Sequence, residues 1–137
     1  MVRGTWHLAV VLGLMAAASA ILGPVLAQQQ KRWAAIDPNS ETSSPVVWGA
    51  NEEEARGRAV EACKRISQTC ANGPAVTEDL REVFALVCCT KPKTGCAAAA
   101  AANKREASRN AQQMFTDAGY SDCSVRHFLG ASTGRKQ

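Results

Sequence analysis

The sequence predicts a small α+β domain in which two imperfect strand–hairpin–helix–strand repeats form one disulfide-stapled unit. Three observations lead there. Two helical patterns recur at a constant offset. Short apolar runs flank each of them. Six cysteines, Cys63, Cys70, Cys88, Cys89, Cys96 and Cys123, punctuate a chain of 137 residues.

The helices come first because their signals are local. Asn51-Glu52-Glu53-Glu54 opens one pattern and Asn103-Lys104-Arg105-Glu106 opens the other. Each places Asn at an N-cap and Glu three residues later, so the Asn oxygen can accept from an orphan N–H and the Glu can reach back to the cap. Ala55, Ala59, Ala62 and Ile66 then match Ala107, Ala111, Met114 and Ala118. Their spacing is that of one face of a 3.6-residue helix. Gly119 stands where a C-terminal glycine belongs. Cys70 and Cys123 follow the two helices, one residue out of register.

The flanks supply the strands. Trp33-Ala34-Ala35-Ile36 precedes the first helix and Phe84-Ala85-Leu86-Val87 the second, each a short apolar run suited to a buried strand. Val46-Val47-Trp48-Gly49 runs back into the first helix. Cys123, Val125 and His127 alternate with Ser124 and Arg126 after the second. Small alanine faces let each helix approach the sheet closely, and both helices are expected over one shared sheet. The run from Ala97 to Ala102 is ambiguous: alanine prefers helix, whereas the repeat makes the run extended. The turn-like Thr90-Lys91-Pro92-Lys93-Thr94-Gly95 favours the strand, and a longer second helix starting near Cys96 is the alternative. Asp37 to Pro45 is polar and reads as a loop.

The N-terminus reads as a secretory signal. Arg3, an uncharged stretch from Leu8 to Ala20, and the small-residue sites Ala18-Ser19-Ala20 and Val25-Leu26-Ala27 follow in the order such a leader requires. Cleavage after Ala27 is preferred because the polar Gln28-Gln29-Gln30-Lys31-Arg32 run follows at once. The alternative is a retained anchor, but the apolar run falls short of the ~20 residues a spanning helix needs, and Pro24 interrupts its end. The expected organisation is a signal peptide over residues 1–27, a polar tail over 28–32, a single α+β disulfide domain over 33–130 and a basic tail over 131–137. Localisation is then exported, in the periplasm or outside the cell, with no stable membrane anchor after cleavage.

An even cysteine count in a short exported chain reads as a disulfide framework. The core needs it, since the chain holds only one Tyr and three Phe. Cys63 is expected to pair with Cys70, and Cys96 with Cys88 or Cys89 across the hairpin, leaving the other for Cys123. Neighbouring strand residues point to opposite faces, so Cys88 and Cys89 can serve different partners. A redox-active pair, or soft metal ligands with Cys96, is the functional alternative. No Cys-x-x-Cys signature or four-thiolate zinc spacing supports it.

Other chemistries find little to build on. With the leader removed, His127 is the sole histidine, which excludes a two-histidine metal site within one chain. A hydrolase of the glycosidase kind needs two carboxylates ~5–9.5 Å apart across a groove. Glu52, Glu53 and Glu54 already suit a helix start, and Glu78, Asp79 and Glu82 lie in a polar segment. The net charge of +4 is interspersed, without the basic stripe and interleaved aromatics of a nucleic-acid site. No catalytic residue, metal or cofactor is therefore assigned.

The pattern carried by Trp33-Ala34-Ala35-Ile36, Trp48-Gly49-Ala50, Ala55, Ala59, Cys63 and Cys70, with Ala107, Ala111 and Cys123 in the second copy, resembles domain-of-unknown-function family 4189. The resemblance spans nearly all of the chain after the leader. It departs at Phe115, where a second helical cysteine would fall, at the adjacent Cys88-Cys89 and at the alanine run. It implies a small secreted or periplasmic bacterial domain with no known activity. The expected function is a non-catalytic binding domain, an inhibitor or accessory of an envelope or secreted protein, whose partner is a protein or envelope component. A small secreted hydrolase and a structural envelope accessory are the alternatives. Trp33 and Trp48 are the candidate interface anchors, with a place in the core under the alanine-rich helices as the competing role for both.

Overall fold

The structure, a computed structural model, describes residues 32–39, 45–70 and 73–137. The expected leader, its expected cleavage site and most of the expected polar tail over 28–32 lie outside the described residues. In chain order the elements are β1 (Trp33–Ile36), β2 (Val47–Gly49), α1 (Glu52–Lys64), β3 (Ala75–Thr77), β4 (Val83–Lys91), β5 (Gly95–Ala101), α2 (Lys104–Asp117) and β6 (Ser121–Gly130).

The fold is α+β, but the helices do not share one sheet. The strands form two antiparallel three-stranded sheets, ordered β2-β1-β3 and β5-β4-β6. Alternation along the central strands explains the split. Ala34 and Ile36 of β1 pack with Phe84, Leu86 and Cys88 of β4 in a core between the sheets. The intervening residues face outward: Ala35 meets Ala55 and Ala59 of α1. Val83 and Ala85 meet Ala107, while Val87 and Cys89 meet Ala111 and Phe115 of α2. The layers therefore run α1, sheet, sheet, α2. Each half runs strand, return strand, helix, strand, with its first strand central. This is a likeness of connectivity, not of strand length or disulfide pattern.

Both helices start as their sequences dictate. Asn51 and Asn103 are extended, and their side chains accept from the N–H of Glu54 and Glu106, each at 2.9 Å. Glu54 reaches one residue past its cap and accepts from the N–H of Ala50 at 2.7 Å. Gly49 is required where the chain turns into α1, since a Cβ there would meet the Ala55 nitrogen at 2.5 Å.

Ala55 and Ala59 on α1, and Ala107 and Ala111 on α2, are buried as expected, but the third buried position is Cys63 on α1 and Phe115 on α2 instead of the expected residues. Ile66 is 48% exposed and Met114 55% exposed. Ala118 is exposed as well, and Ala62 is half-buried. The contacts follow the i, i+4, i+8 ridge, which is inclined to the helix axis, so each helix lies obliquely and turns its i+7 position away from the sheet. Ile66 and Ala118 also fall beyond the ends of α1 and α2.

The alanine run is strand. In β5, Ala97 to Ala101 pair in register with Val87 to Val83. Pairing and burial override alanine's helical preference, because methyls fit both against α2 and between the sheets. The expected alternation along β6 breaks. Arg126 is the extra residue of a bulge, with Val125 opposite Val87 but His127 opposite Leu86. His127 thus lies on the opposite face from Cys123 and Val125.

Residues 131–137, expected as a basic tail, fold back onto β6. Ala131 is fully buried and donates to the Glu82 carbonyl at 3.0 Å, while Gln137 donates to the Phe128 carbonyl at 3.0 Å. Cys63 pairs with Cys70, Cys88 with Cys96, and Cys89 with Cys123. The hairpin register places Cys88 opposite Cys96, which settles the choice between Cys88 and Cys89. Cys123 lies within β6, whereas Cys70 precedes β3, so the two are not equivalent.

Candidate binding site

The cysteines, and the carboxylates of Asp79 and Glu82, are tied into structure. All six cysteines are in disulfides. Among the described residues no cluster of three His, Cys, Asp or Glu side chains is placed to hold a metal ion. Burial lowers the His127 pKa below its usual range, helped by the charges of Lys136 and Arg126. Asp79 hydrogen bonds to Arg81, which holds its carboxyl down at about 2. Glu82 accepts from the Thr77 hydroxyl at 2.6 Å. These carboxylates brace the turn between β3 and β4.

The two tryptophans part company. Trp33 is half-buried and packs beside Ala35, Ala55 and Ala59 in the layer under α1. Trp48 packs at the rim of the core between the sheets. Its indole N–H donates to the Ala131 carbonyl at 2.8 Å, so the folded-back C-terminus fixes the ring. Trp48 also forms part of the wall of an open groove of about 710 Å³ along β2 and the outer face of α1.

The rest of that wall comes from the helix. Glu54, Arg58, Glu61 and Arg65 line it, with Gly57 and Ala62 between them, and Arg32 closes the end beside Trp48. The Arg32 guanidinium lies 5.2 Å from the centroid of the Trp48 ring, in cation–π range. Arg58 donates to the Trp48 carbonyl at 2.7 Å and also binds Glu54, clamping helix to strand. Among the described residues Arg32 and Arg65 hold no carboxylate. Among the described residues the lining contains no Cys, His, Ser or Thr. Its chemistry is that of a fixed aromatic plane in a wall of mixed charge, where the Arg32, Arg58 and Arg65 guanidinium groups outnumber the Glu54 and Glu61 carboxylates, and the positive excess suits an apolar group bearing negative charge.

Sequence reading identified Trp48 but missed Arg32, Arg58 and Arg65. The signal was present, because Glu54, Arg58, Glu61 and Arg65 recur at i, i+4, i+7, i+11 on one helix face. What the sequence hid was that this face borders the Trp48 strand. Comparison with protein-family models, with curated proteins and with solved structures finds no match to the chain, so the reading of this groove rests on its own geometry.

Proposed function

We propose that this chain is a non-catalytic binding domain of an oxidising compartment, exported to the periplasm or beyond the cell, and that it engages its partner through the Trp48 groove. The carrying observation is the indole held by Ala131 in the wall of an open groove, with the Arg32 guanidinium over its ring and Arg65 further along the same wall, both without carboxylate partners among the described residues. Tryptophan and arginine are the residue types that dominate binding energy at interfaces. The three disulfides fit an oxidising environment. No described helix is long and apolar enough to cross a membrane. The reading is compatible with the resemblance to domain-of-unknown-function family 4189, and its partner is a protein or envelope component.

The test is affinity capture from an envelope fraction with the oxidised protein and with the Arg32→Glu/Arg65→Glu variant. Both substitutions lie on exposed positions and leave the core untouched. The wild type should retain a partner that the variant loses. An identical set of proteins retained by both would remove the groove from the binding surface.

A further inference from the structure

Two Cα separations fix which way the backbone of β5 points. In an antiparallel pair, residues that exchange hydrogen bonds sit ~5.5 Å apart at Cα, and those that do not sit ~4.5 Å apart. Cys88 and Cys96 face each other at 4.1 Å, so they form a non-hydrogen-bonded pair. Cys89 and Cys123, across the other side of β4 at 3.9 Å, give the same phase. The N–H and C=O groups of Cys96, and by alternation those of Ala98 and Ala100, therefore point away from β4. β5 is the outer strand of its sheet. Among the described residues no backbone bond or bridge outside the β4 ladder reaches these groups.

That edge opens into a second groove, of about 350 Å³. Cys96 to Ala98 form its floor. Met114, Phe115 and Tyr120 make one wall, and Pro38 and Gly73 stand opposite. Among the described residues no charged side chain lines it. Phe115 and Tyr120 pack edge to face, with centroids 4.9 Å apart.

We propose that this edge accepts a short, extended, uncharged peptide segment of a partner protein as an added strand, with Cys96 and Ala98 supplying its backbone donors and acceptors. An extended chain repeats its own N–H and C=O groups with the period of the edge, so the two ladders match. The uncharged walls select an uncharged segment, because a charge brought there would lose its water without gaining a partner. A second copy of this chain fits less well. Its own β5 is recessed between the same two walls, whereas a single strand needs only ~4.8 Å of width beside its neighbour. The Cys88–Cys96 bond ties β5 to β4 at this end, so the edge is ordered before the peptide arrives. The site is separate from the Trp48 groove and stands or falls without it.

Residue-resolved amide exchange on the oxidised full chain tests the proposal. The probe is the blocked peptide acetyl-Thr-Val-Ala-Val-Ala-Thr-amide, and the control is the same peptide N-methylated at alternate residues. In the free protein the Cys96 and Ala98 amides should exchange fast, while those of Ala97 and Ala99 are protected by β4. The probe should slow Cys96 and Ala98 by at least about tenfold, and the N-methylated control should not. Met114→Lys, at an exposed wall position, should weaken the probe by about tenfold without altering exchange in the free protein. Slow exchange at Cys96 and Ala98 without peptide would show that the edge is already satisfied within the chain, and would overturn the proposal. So would equal protection by the N-methylated control, protection that grows with protein concentration alone, or no protection at about 1 mM probe.

Discussion

Ala111 offers the sharpest test of how α2 meets its sheet. It is fully buried and packs against Val87, Cys89, Ala97 and Phe115. Ala111→Gln puts a long side chain into a gap sized for a methyl. Overpacking of this kind costs ~1–3 kcal/mol. The amide would also be stranded away from water, which adds ~1–3 kcal/mol. A loss of ~3 kcal/mol is then a moderate expectation, and at a urea slope of ~1.5 kcal/mol/M it lowers the midpoint by ~2 M. Asn110 is the neighbouring control because it is exposed. Asn110→Gln should stay within ~0.5 kcal/mol. Ala59, 1% exposed between α1 and the first sheet, should respond like Ala111. Arg58 is no silent control, because it holds the Trp48 carbonyl and Glu54. Urea midpoints of these variants, each in the oxidised protein, decide the matter. If Ala59→Gln and Ala111→Gln shift no more than Asn110→Gln, the helices are not seated as described.

Further outcomes follow from the same packing. Replacing both Cys89 and Cys123 by Ser should destabilise more than replacing Cys63 and Cys70, since the bonds close separations of 34 and 7 residues; chain entropy gives ~3.8 against ~2.3 kcal/mol, to be read by calorimetry. Gly49→Ala should lower the melting temperature, because its Cβ would meet backbone at 2.5 Å. Gly57→Ala, with nothing within 4 Å of the new methyl, should raise stability by ~0.5–1 kcal/mol. His127 is harder to protonate folded than unfolded, so the unfolded state binds more protons as pH falls from its ordinary 6.5 toward the lower folded value. Stability should therefore rise with pH through that window, and His127→Gln should flatten the rise in a melting-temperature series. Mass spectrometry of exported protein should find Gln28 at the N-terminus, and a chain still beginning at Met1 would refute the leader reading.

What the sequence made legible was local. Asn51 and Asn103 announce their helices because a cap and its partner lie three residues apart. Cys63 and Cys70 sit close enough along the chain for their pairing to be read. The strands β1 and β4 are apolar runs bounded by polar ones. Non-local features stayed hidden. Nothing in Ala75-Val76-Thr77 marks a strand, since three residues gain their pairing only from β1. The division into two sheets depends on where Ala34, Ile36, Phe84 and Leu86 point, which a list of apolar residues does not encode. The bulge at Arg126 arises from pairing with β4. Trp48 was visible as a residue, but its groove depends on Arg32 and Arg65 converging from opposite sides of α1 in sequence.

The crosslinks also decide where a protease can divide this molecule. A cut between residues 89 and 123 leaves the fragments joined through Cys89–Cys123, and a cut between 63 and 70 leaves them joined through Cys63–Cys70. Lys91, Lys93, Lys104, Arg105 and Arg109, all exposed basic positions, lie inside the first protected span. The chain from 71 to 87 is bridged by neither, and it carries Arg81 with its side chain 91% exposed. Cleavage there leaves the two sheets held together by their shared apolar face and by hydrogen bonds such as those from Trp48 to Ala131 and from Thr77 to Glu82. In a compartment rich in trypsin-like enzymes, one scission in the connection between β3 and β4 thus turns this single chain into a non-covalent pair of its two sheets.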